Sequence, residues 1–272
     1  MTEKKAEMSQ AMKEKLAPKQ FVKTPINGTK FTVLVSSAKG GVGKSTVAVN
    51  LAFALQNLGL KIGILDADVY GPSLPKLINL NEKPKSEDGK ALIPLEKYDA
   101  QCMSMGFLVD EQTPMIWRGP MVISALKTMT QKVLWKDRDI IIIDMPPGTG
   151  DTHLTLIQKL EINHVVVVTT PQDISLADTR KGINMFKKFN IPISGVVENM
   201  SYFICNNCDE KHYMYGKGGG EKLSEEFNIK LLGKIPFDTL ISDSSDKGNP
   251  NLIHENKDLS SIYDNIIDNL IN

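Results

Sequence analysis

Residues 38–46 read AKGGVGKST, and this stretch decides the fold class. It follows FTVLVSS, a short β-branched run typical of a buried strand, and it opens KSTVAVNLAFALQNLG, whose apolar residues recur at helical spacing. A glycine-rich turn between strand and helix directs backbone N–H groups and the positive end of a helix toward phosphate. The general pattern Gly-x-x-x-x-Gly-Lys-Ser/Thr needs glycine at position 38, where this chain has alanine. The succession of a strand, glycines, Lys-Ser-Thr and a helix nevertheless indicates a phosphate-binding loop.

The residues of this loop have distinct predicted roles. We expect Lys44 to contact the β- and γ-phosphates, the Ser45 hydroxyl to ligate Mg²⁺, and Thr46 to lie near the α-phosphate. Glycines let the backbone fold tightly around the anion. The predicted nucleotide-binding set of the loop is Gly40, Gly41, Val42, Gly43, Lys44, Ser45 and Thr46.

Carboxylates follow two other strand-like runs. In ILDADVYGPS, Asp66 and Asp68 emerge at a strand end, where ligands of open α/β sheets bind. We expect Asp66 to support the Mg²⁺ shell and Asp68 to orient the attacking water; the alternative is a pair of exposed turn aspartates. IIIIDMPPGTGD ends its apolar run in Asp144, which we expect to hold Mg²⁺ through water. Gly148 and Asp151 are then predicted to sense the γ-phosphate and to move on hydrolysis.

Strand and helix patterns alternate through the chain, with apolar runs at 139–144 and 164–170 that are typical of strands covered on both faces. This alternation predicts an α/β fold of the P-loop NTPase kind, with a mostly parallel twisted sheet and helices on both faces. We expect one ATPase domain over residues 28–272 and a flexible or helical N-terminal extension over residues 1–27.

Composition narrows the functional classes. The chain has 272 residues, with 32 basic and 32 acidic side chains, so it lacks the basic surplus of a dedicated nucleic-acid binder. Three cysteines cannot form a disulfide framework, which favours a reducing compartment. There is neither an apolar run of about 18 residues nor a secretory pattern, so we predict a cytoplasmic protein without a membrane or nucleic-acid partner.

Two of the cysteines, Cys205 and Cys208, form a C-x-x-C pair in a loop-like run. Four thiolates make an iron–sulfur cluster or a tetrahedral zinc site, and a symmetric dimer doubles one pair to four. Four alternatives to a cluster stay open: zinc bound between subunits, a zinc site of both cysteines and His212 that lacks a fourth ligand, a redox pair, and a structural pair. Cys102 lies in an apolar run and is expected to be a buried, inert thiol.

Lys39, at the start of the phosphate loop, marks a resemblance to the deviant phosphate-loop class of MinD, ParA and the nitrogenase iron protein. Further motifs narrow the resemblance to one family. After the phosphate loop the chain contains, in this order, WRGPM, DMPPGTGD, VVENMS, the C-x-x-C pair, YGKGGGEKLSEE and LLGKIPFD. Together they closely resemble the Mrp/ApbC family of ATPases, which are iron–sulfur cluster carriers, over about residues 28–270.

The resemblance implies a slowly hydrolysing homodimer with Mg²⁺ and ATP in each subunit, in which Lys39 reaches the partner's nucleotide. It implies that Cys205 and Cys208 of both chains hold one bridging [4Fe–4S] cluster, received from a scaffold and passed to apo-proteins. Asn199 resembles the asparagine that binds adenine, and Pro236 and Asp238 resemble the segment flanking the base. Only about 27 residues precede the core and residues 1–30 contain no cysteine, so one cluster site per dimer is expected.

The alternative function is that of a MinD/ParA-like positioning ATPase with a structural or zinc-binding cysteine pair. Such a protein needs a basic amphipathic helix or a basic patch. The C-terminal stretch HENKDLSSIYDNIIDNLIN has an apolar face but is acidic. We therefore expect this helix to pack on its own domain or on the partner subunit.

Overall fold

A computed structural model describes residues 23–86, 89–109 and 119–271. The main sheet is formed, in chain order, by β1 (Thr29–Ser36), β2 (Ile62–Asp66), β3 (Leu95–Lys97), β4 (Ala100–Ser104), β5 (Arg138–Asp144), β6 (His164–Thr169), β7 (Ile193–Glu198) and β10 (Lys230–Lys234). A separate small hairpin consists of β8 (Phe203–Ile204) and β9 (Lys211–His212).

The helices in chain order are α1 (Lys44–Asn57), α2 (Leu74–Leu77), α3 (Gly119–Gln131), α4 (Asp151–Lys159), α5 (Asp173–Lys188), α6 (Gly219–Phe227), α7 (Thr239–Lys247), α8 (Asn251–Glu255) and α9 (Lys257–Ile271). Among the described residues, no helix is both long enough and apolar enough to cross a membrane.

The eight strands lie in the order β10-β7-β6-β1-β5-β2-β4-β3, and every neighbouring pair is parallel except β3 with β4. The register aligns Val35 with Asp144 and Asp66 with Asp144. The carboxyl ends of β1, β5 and β2 therefore meet at one edge, where the predicted phosphate loop and carboxylates lie.

Helices cover both faces of the sheet, each over its own apolar core. One core includes residues of α1, α8 and α9, and the other includes residues of α3, α4, α5 and α6. Strand residues alternate between these cores because successive side chains of a strand point to opposite faces. The predicted fold class, a mostly parallel sheet with helices on both faces, is confirmed.

Some elements went unpredicted. Strand β3 and the hairpin β8–β9 have only two or three residues per strand, and β4, AQCMS, has no β-branched residue, so none shows a clear strand pattern. Helix α3 begins directly after residues 110–118, which are not described. Cys102 lies within β4 and is fully buried, and burial raises the pKa of its thiol to about 12, as expected for an inert cysteine.

The predicted extension, residues 1–27, lies mostly outside the described residues, as do residues 117 and 118 of the WRGPM motif. At the first described residues, the chain already packs on the domain. The Thr24 amide donates to the Lys159 carbonyl, and Ile26 is 1% exposed. The boundary between residues 27 and 28 stays a prediction.

Candidate nucleotide and metal site

The phosphate loop connects β1 to α1 as predicted, and its turn depends on two glycines. Gly41 and Gly43 both have φ of +79°, in the left-handed region that other residues rarely adopt. Helix α1 begins at Lys44, so the first, unpaired amides of the helix adjoin the loop. This arrangement can bind a polyphosphate through backbone N–H groups.

Lys44, Ser45 and Asp144 form one buried polar cluster. The Lys44 ammonium pairs with Asp144 and lies 3.3 Å from the Ser45 Oγ, and Ser45 also hydrogen-bonds Asp144. Burial raises the pKa of Asp144, although Lys44 opposes the shift. A hydroxyl and a carboxylate side by side are oxygen ligands of the kind that Mg²⁺ prefers.

Asp66 organises the segment that follows β2. Its Oδ2 accepts hydrogen bonds from the amides of Ser73 and Leu74 at 3.0 and 3.1 Å and from the Ser104 hydroxyl at 2.9 Å. Burial first, and Asp144 second, raise the pKa of Asp66 to about 7. The supporting role of Ser104 was not predicted, because it depends on the pairing of β2 with β4.

Asp68 is 8% exposed and accepts a hydrogen bond from the Gly71 amide at 3.2 Å. It lines a cavity of 620 Å³ together with Pro147, Asp151 and His153. The Gly148 amide donates to the Ser37 carbonyl at 3.0 Å and so ties the segment after β5 to the phosphate loop. Asp68 and Asp151 thus line the same cavity, and the predicted roles of Asp68, Gly148 and Asp151 toward water and the γ-phosphate stay predictions.

His153 contributes a buried imidazole to the same cavity. It is 1% exposed, and its Nε2 has no hydrogen-bond partner among the described residues. Burial, and then the charge of Lys44, lower the pKa of His153 to about 4. His153 therefore occupies a core position beside the cavity.

Lys39 lies at the other side of the phosphate loop and is partly exposed. It lines a small pocket of 120 Å³ that also contains Gly41, Met200 and Tyr215. Tyr215 follows the cysteine hairpin, so the phosphate loop and the cysteine segment share this pocket.

Asn199, Pro236 and Asp238 were predicted to contact the base. Asn199 is buried, and its Nδ2 donates to the Val42 carbonyl at 2.8 Å. Pro236 is also buried, and Asp238 caps α7 by accepting from the Leu240 amide at 2.7 Å. Asn199 follows β7, whereas Pro236 and Asp238 follow β10. The contact of these three residues with adenine stays a prediction.

The cysteine pair lies at the tip of the hairpin β8–β9. The Cys205 amide donates to the Glu210 carbonyl at 3.0 Å, and the Asp209 amide donates to the Cys205 carbonyl at 2.9 Å. The backbone amides of Asn207 and Cys208 lower the pKa of the Cys205 thiol. A turn that stabilises a thiolate in this way suits a metal ligand, because thiolates rather than thiols bind metals.

Glu198 joins the two ends of the cysteine segment, residues 201–220. Its Oε1 accepts from the Ser201 hydroxyl and its Oε2 from the Gly220 amide, both at 2.5 Å. The residue is 1% exposed. We did not predict this role, although Glu198 stands in the ENMS motif, because nothing in the sequence pairs it with a glycine 22 residues later.

The comparison with known families agrees with this geometry. Residues 28–271 match the family model described as ParA, the NUBPL iron-transfer P-loop NTPases. The chain belongs to this family. The predicted recognition and the P-loop NTPase fold are both confirmed.

Two curated relatives carry names that refer to iron–sulfur proteins. The "Iron-sulfur protein required for NADH dehydrogenase, mitochondrial" of Arabidopsis thaliana is 47% identical over 248 residues, which cover 90% of this chain and 79% of that protein. The "Iron-sulfur cluster carrier protein" of Escherichia coli K12 is 48% identical over 245 residues, covering 89% of this chain and 66% of that protein. The predicted functional class, iron–sulfur cluster carriers, is therefore the class that the name of the Escherichia coli relative states.

A solved structure is similar over most of the fold. It is a nucleotide-binding protein from Archaeoglobus fulgidus in complex with ADP, with cobalt found in it. The TM-score is 0.73 at 36% identity, covering 83% of this chain and 89% of that one. The family and this neighbour confirm a nucleotide-binding NTPase fold, while the individual site residues stay predictions.

Proposed function

We propose that this chain is an ATP-hydrolysing carrier that holds a labile iron–sulfur cluster between two identical subunits and passes it to apo-proteins. The observation that carries the proposal is the connection between two sites. The segment that leads into the hairpin with Cys205 and Cys208 is bonded to the phosphate loop, because Asn199 donates to the Val42 carbonyl. Family membership and the names of the relatives support an iron–sulfur cluster as the cargo.

The cargo site needs a second copy of the chain. Cys205 is half-buried and Cys208 exposed, so both thiols are accessible at the protein surface. Two thiolates from each subunit of a symmetric dimer supply the four that a [4Fe–4S] cluster requires. A cluster held by only two bonds to each subunit is suited to transfer.

Each residue at this edge of the sheet has its own role in ATP binding and hydrolysis. The phosphate-loop amides and Lys44 bind the phosphates, and Ser45 with Asp144 holds Mg²⁺. Asp68 orients the water that attacks the γ-phosphorus, and ADP leaves in line with that attack. Lys39 of each subunit reaches the nucleotide of the other and neutralises charge on the transferring phosphoryl group. Gly148 and Asp151 respond to the γ-phosphate, and Asp66 fixes the Asp68 segment.

A positioning ATPase of the MinD/ParA type is not favoured by the structure of the C-terminus. Such a function needs an amphipathic helix whose apolar face is free for a membrane. In α9 the apolar residues Leu259, Tyr263, Ile266 and Ile267 are buried in the core formed with α1. The cytoplasmic location predicted from the sequence stays a prediction, and the Arabidopsis relative is named as mitochondrial.

Anaerobic reconstitution with ferrous iron and sulfide tests the proposal. Wild type is expected to form a dimer with four iron and four sulfide per two chains and to transfer the cluster to an apo-protein. Cys205→Ser is expected to lose the cluster but to keep ATP binding. Asn207→Ala is the matched control, because it changes the same turn without removing a thiol. A wild-type protein that assembles no cluster, or a Cys205→Ser variant that keeps all its iron, would refute the carrier function.

A further inference from the structure

The hairpin β8–β9 brings a third ligating side chain to the cysteine pair. His212 lies in β9, four residues after Cys208, and pairs across the hairpin with Phe203. One ligand atom each of Cys205, Cys208 and His212 can be chosen so that all three lie within 4.8 Å of one another. Within residues 23–86, 89–109 and 119–271, no other group of three His, Cys, Asp or Glu side chains is arranged in this way.

These separations are close to those of a metal site. A tetrahedral zinc ion with Zn–S of about 2.3 Å and Zn–N of about 2.0 Å holds its ligand atoms roughly 3.5 to 3.8 Å apart. Any two of the three atoms must therefore approach by about 1.3 Å at most. Cys208 and His212 are exposed and Cys205 is half-buried, so their side chains have room to rotate toward one ion.

The ligand set also selects the kind of ion. Two thiolates and an imidazole favour borderline-soft divalent cations such as Zn²⁺ over the hard ions Mg²⁺ and Ca²⁺. The amides of Asn207 and Cys208 that face the Cys205 sulfur supply hydrogen bonds to a bound thiolate. Three protein ligands leave the fourth position open to water or another ligand, unlike closed structural zinc sites, which have four protein ligands.

We propose that Cys205, Cys208 and His212 of a single chain bind one thiophilic divalent cation and leave its fourth position open. This deepens the proposed function, since it rests on the same two cysteines. A bridging cluster takes its four ligands from the cysteines of two chains and does not need His212. The mononuclear ion uses both thiolates of one chain, so a chain cannot hold this ion and the bridging cluster at the same time. His212 is a ligand of the mononuclear ion only.

The test uses the full-length, reduced and metal-free chain, titrated with Co²⁺ as a spectroscopic probe and with Zn²⁺ against a chelator. Wild type is expected to bind one ion per chain with the absorption of tetrahedral, thiolate-ligated Co²⁺. His212→Asn is expected to weaken Zn²⁺ binding by at least about tenfold, since loss of supporting contacts alone has that effect. His164→Asn is the matched control, because His164 is an exposed strand histidine far along the chain from the hairpin.

Two results would overturn the proposal: His212→Asn that binds Zn²⁺ as tightly as wild type, or wild type that takes up one ion per two chains. Cluster reconstitution of His212→Asn separates this proposal from the carrier function. The variant is expected to assemble as much iron and sulfide as wild type. If wild type binds Zn²⁺ through His212 yet assembles no cluster, the carrier function fails and the mononuclear site stands.

Discussion

The side-chain amide of Asn199 donates a hydrogen bond of 2.8 Å to the backbone carbonyl of Val42. Val42 lies in the middle of the phosphate loop, and Asn199 follows β7, 157 residues later. Only five residues separate Asn199 from Cys205. This contact therefore provides a short physical connection through which the nucleotide site and the cysteine hairpin can influence each other.

Gly43→Ala is expected to break this connection. A Cβ at residue 43 would lie 2.2 Å from the Asn199 Nδ2, in a backbone with φ of +79°. Gly41→Ala is the matched control, because its φ is the same but its Cβ would meet nothing within 4 Å. The left-handed backbone costs each variant about 1–2 kcal/mol, and the collision adds about 1–3 kcal/mol for Gly43→Ala. Urea unfolding of both variants without nucleotide measures the difference; equal losses would contradict the importance of this contact.

Glu198→Gln is expected to loosen the cysteine segment. The glutamine oxygen can still accept from the Gly220 amide, but its NH₂ group then faces the Ser201 hydroxyl, whose O–H loses its buried acceptor at a cost of about 1–3 kcal/mol. Hydrogen exchange over residues 201–220 should increase, and a reconstituted cluster should be lost faster. Glu226→Gln is the control, because that exposed carboxylate pairs with Arg180 at the surface. Unchanged exchange in Glu198→Gln would show that the segment is held by other contacts.

Lys44→Ala is expected to lower ATP hydrolysis on the order of 10²-fold or more, since it removes the cation that stabilises the transferring phosphate. The variant should also lose about 3–5 kcal/mol of stability, because it leaves Asp144 buried without its partner. Phosphate release and chemical unfolding measure the two effects. Lys61→Ala, which breaks the exposed pair with Asp137, is the control and should change stability little, because solvent screens such a pair. Normal hydrolysis by Lys44→Ala would refute the assignment of the nucleotide site.

His153 is expected to make stability dependent on pH. Its pKa falls from an ordinary 6.5 to about 4 because burial disfavours the charged ring. Between these values the unfolded chain binds more protons than the folded chain, so stability decreases as the pH falls from 6.5 to 4. Between pH 7 and pH 5 the loss from this group is about 2 kcal/mol. His153→Gln should lack this part of the loss; wild type and variant with the same pH dependence between 7 and 5 would contradict the prediction.

Several parts of the site could be predicted because they are local in the sequence. The phosphate loop needs a strand, glycines and a helix in succession, and all three are written in about 25 consecutive residues. Asp144 was found in the same way, at the end of an apolar run. Ser104 and Glu198 were missed because their partners, Asp66 and Gly220, come from other elements, and hydrogen bonds between distant segments leave no periodic pattern.

The sequence by itself determined the α/β class, the phosphate-loop residues, and the family to which the chain belongs, since these depend on short motifs and on the alternation of apolar runs. Only the tertiary structure decided that Asp66 is buried beneath three donors, that Asn199 bonds the phosphate loop, and that His212 lies beside the cysteine pair. Those relationships depend on strand register and on the hairpin turn. Both are set by packing and backbone pairing between segments, which act over distances that local sequence patterns do not encode.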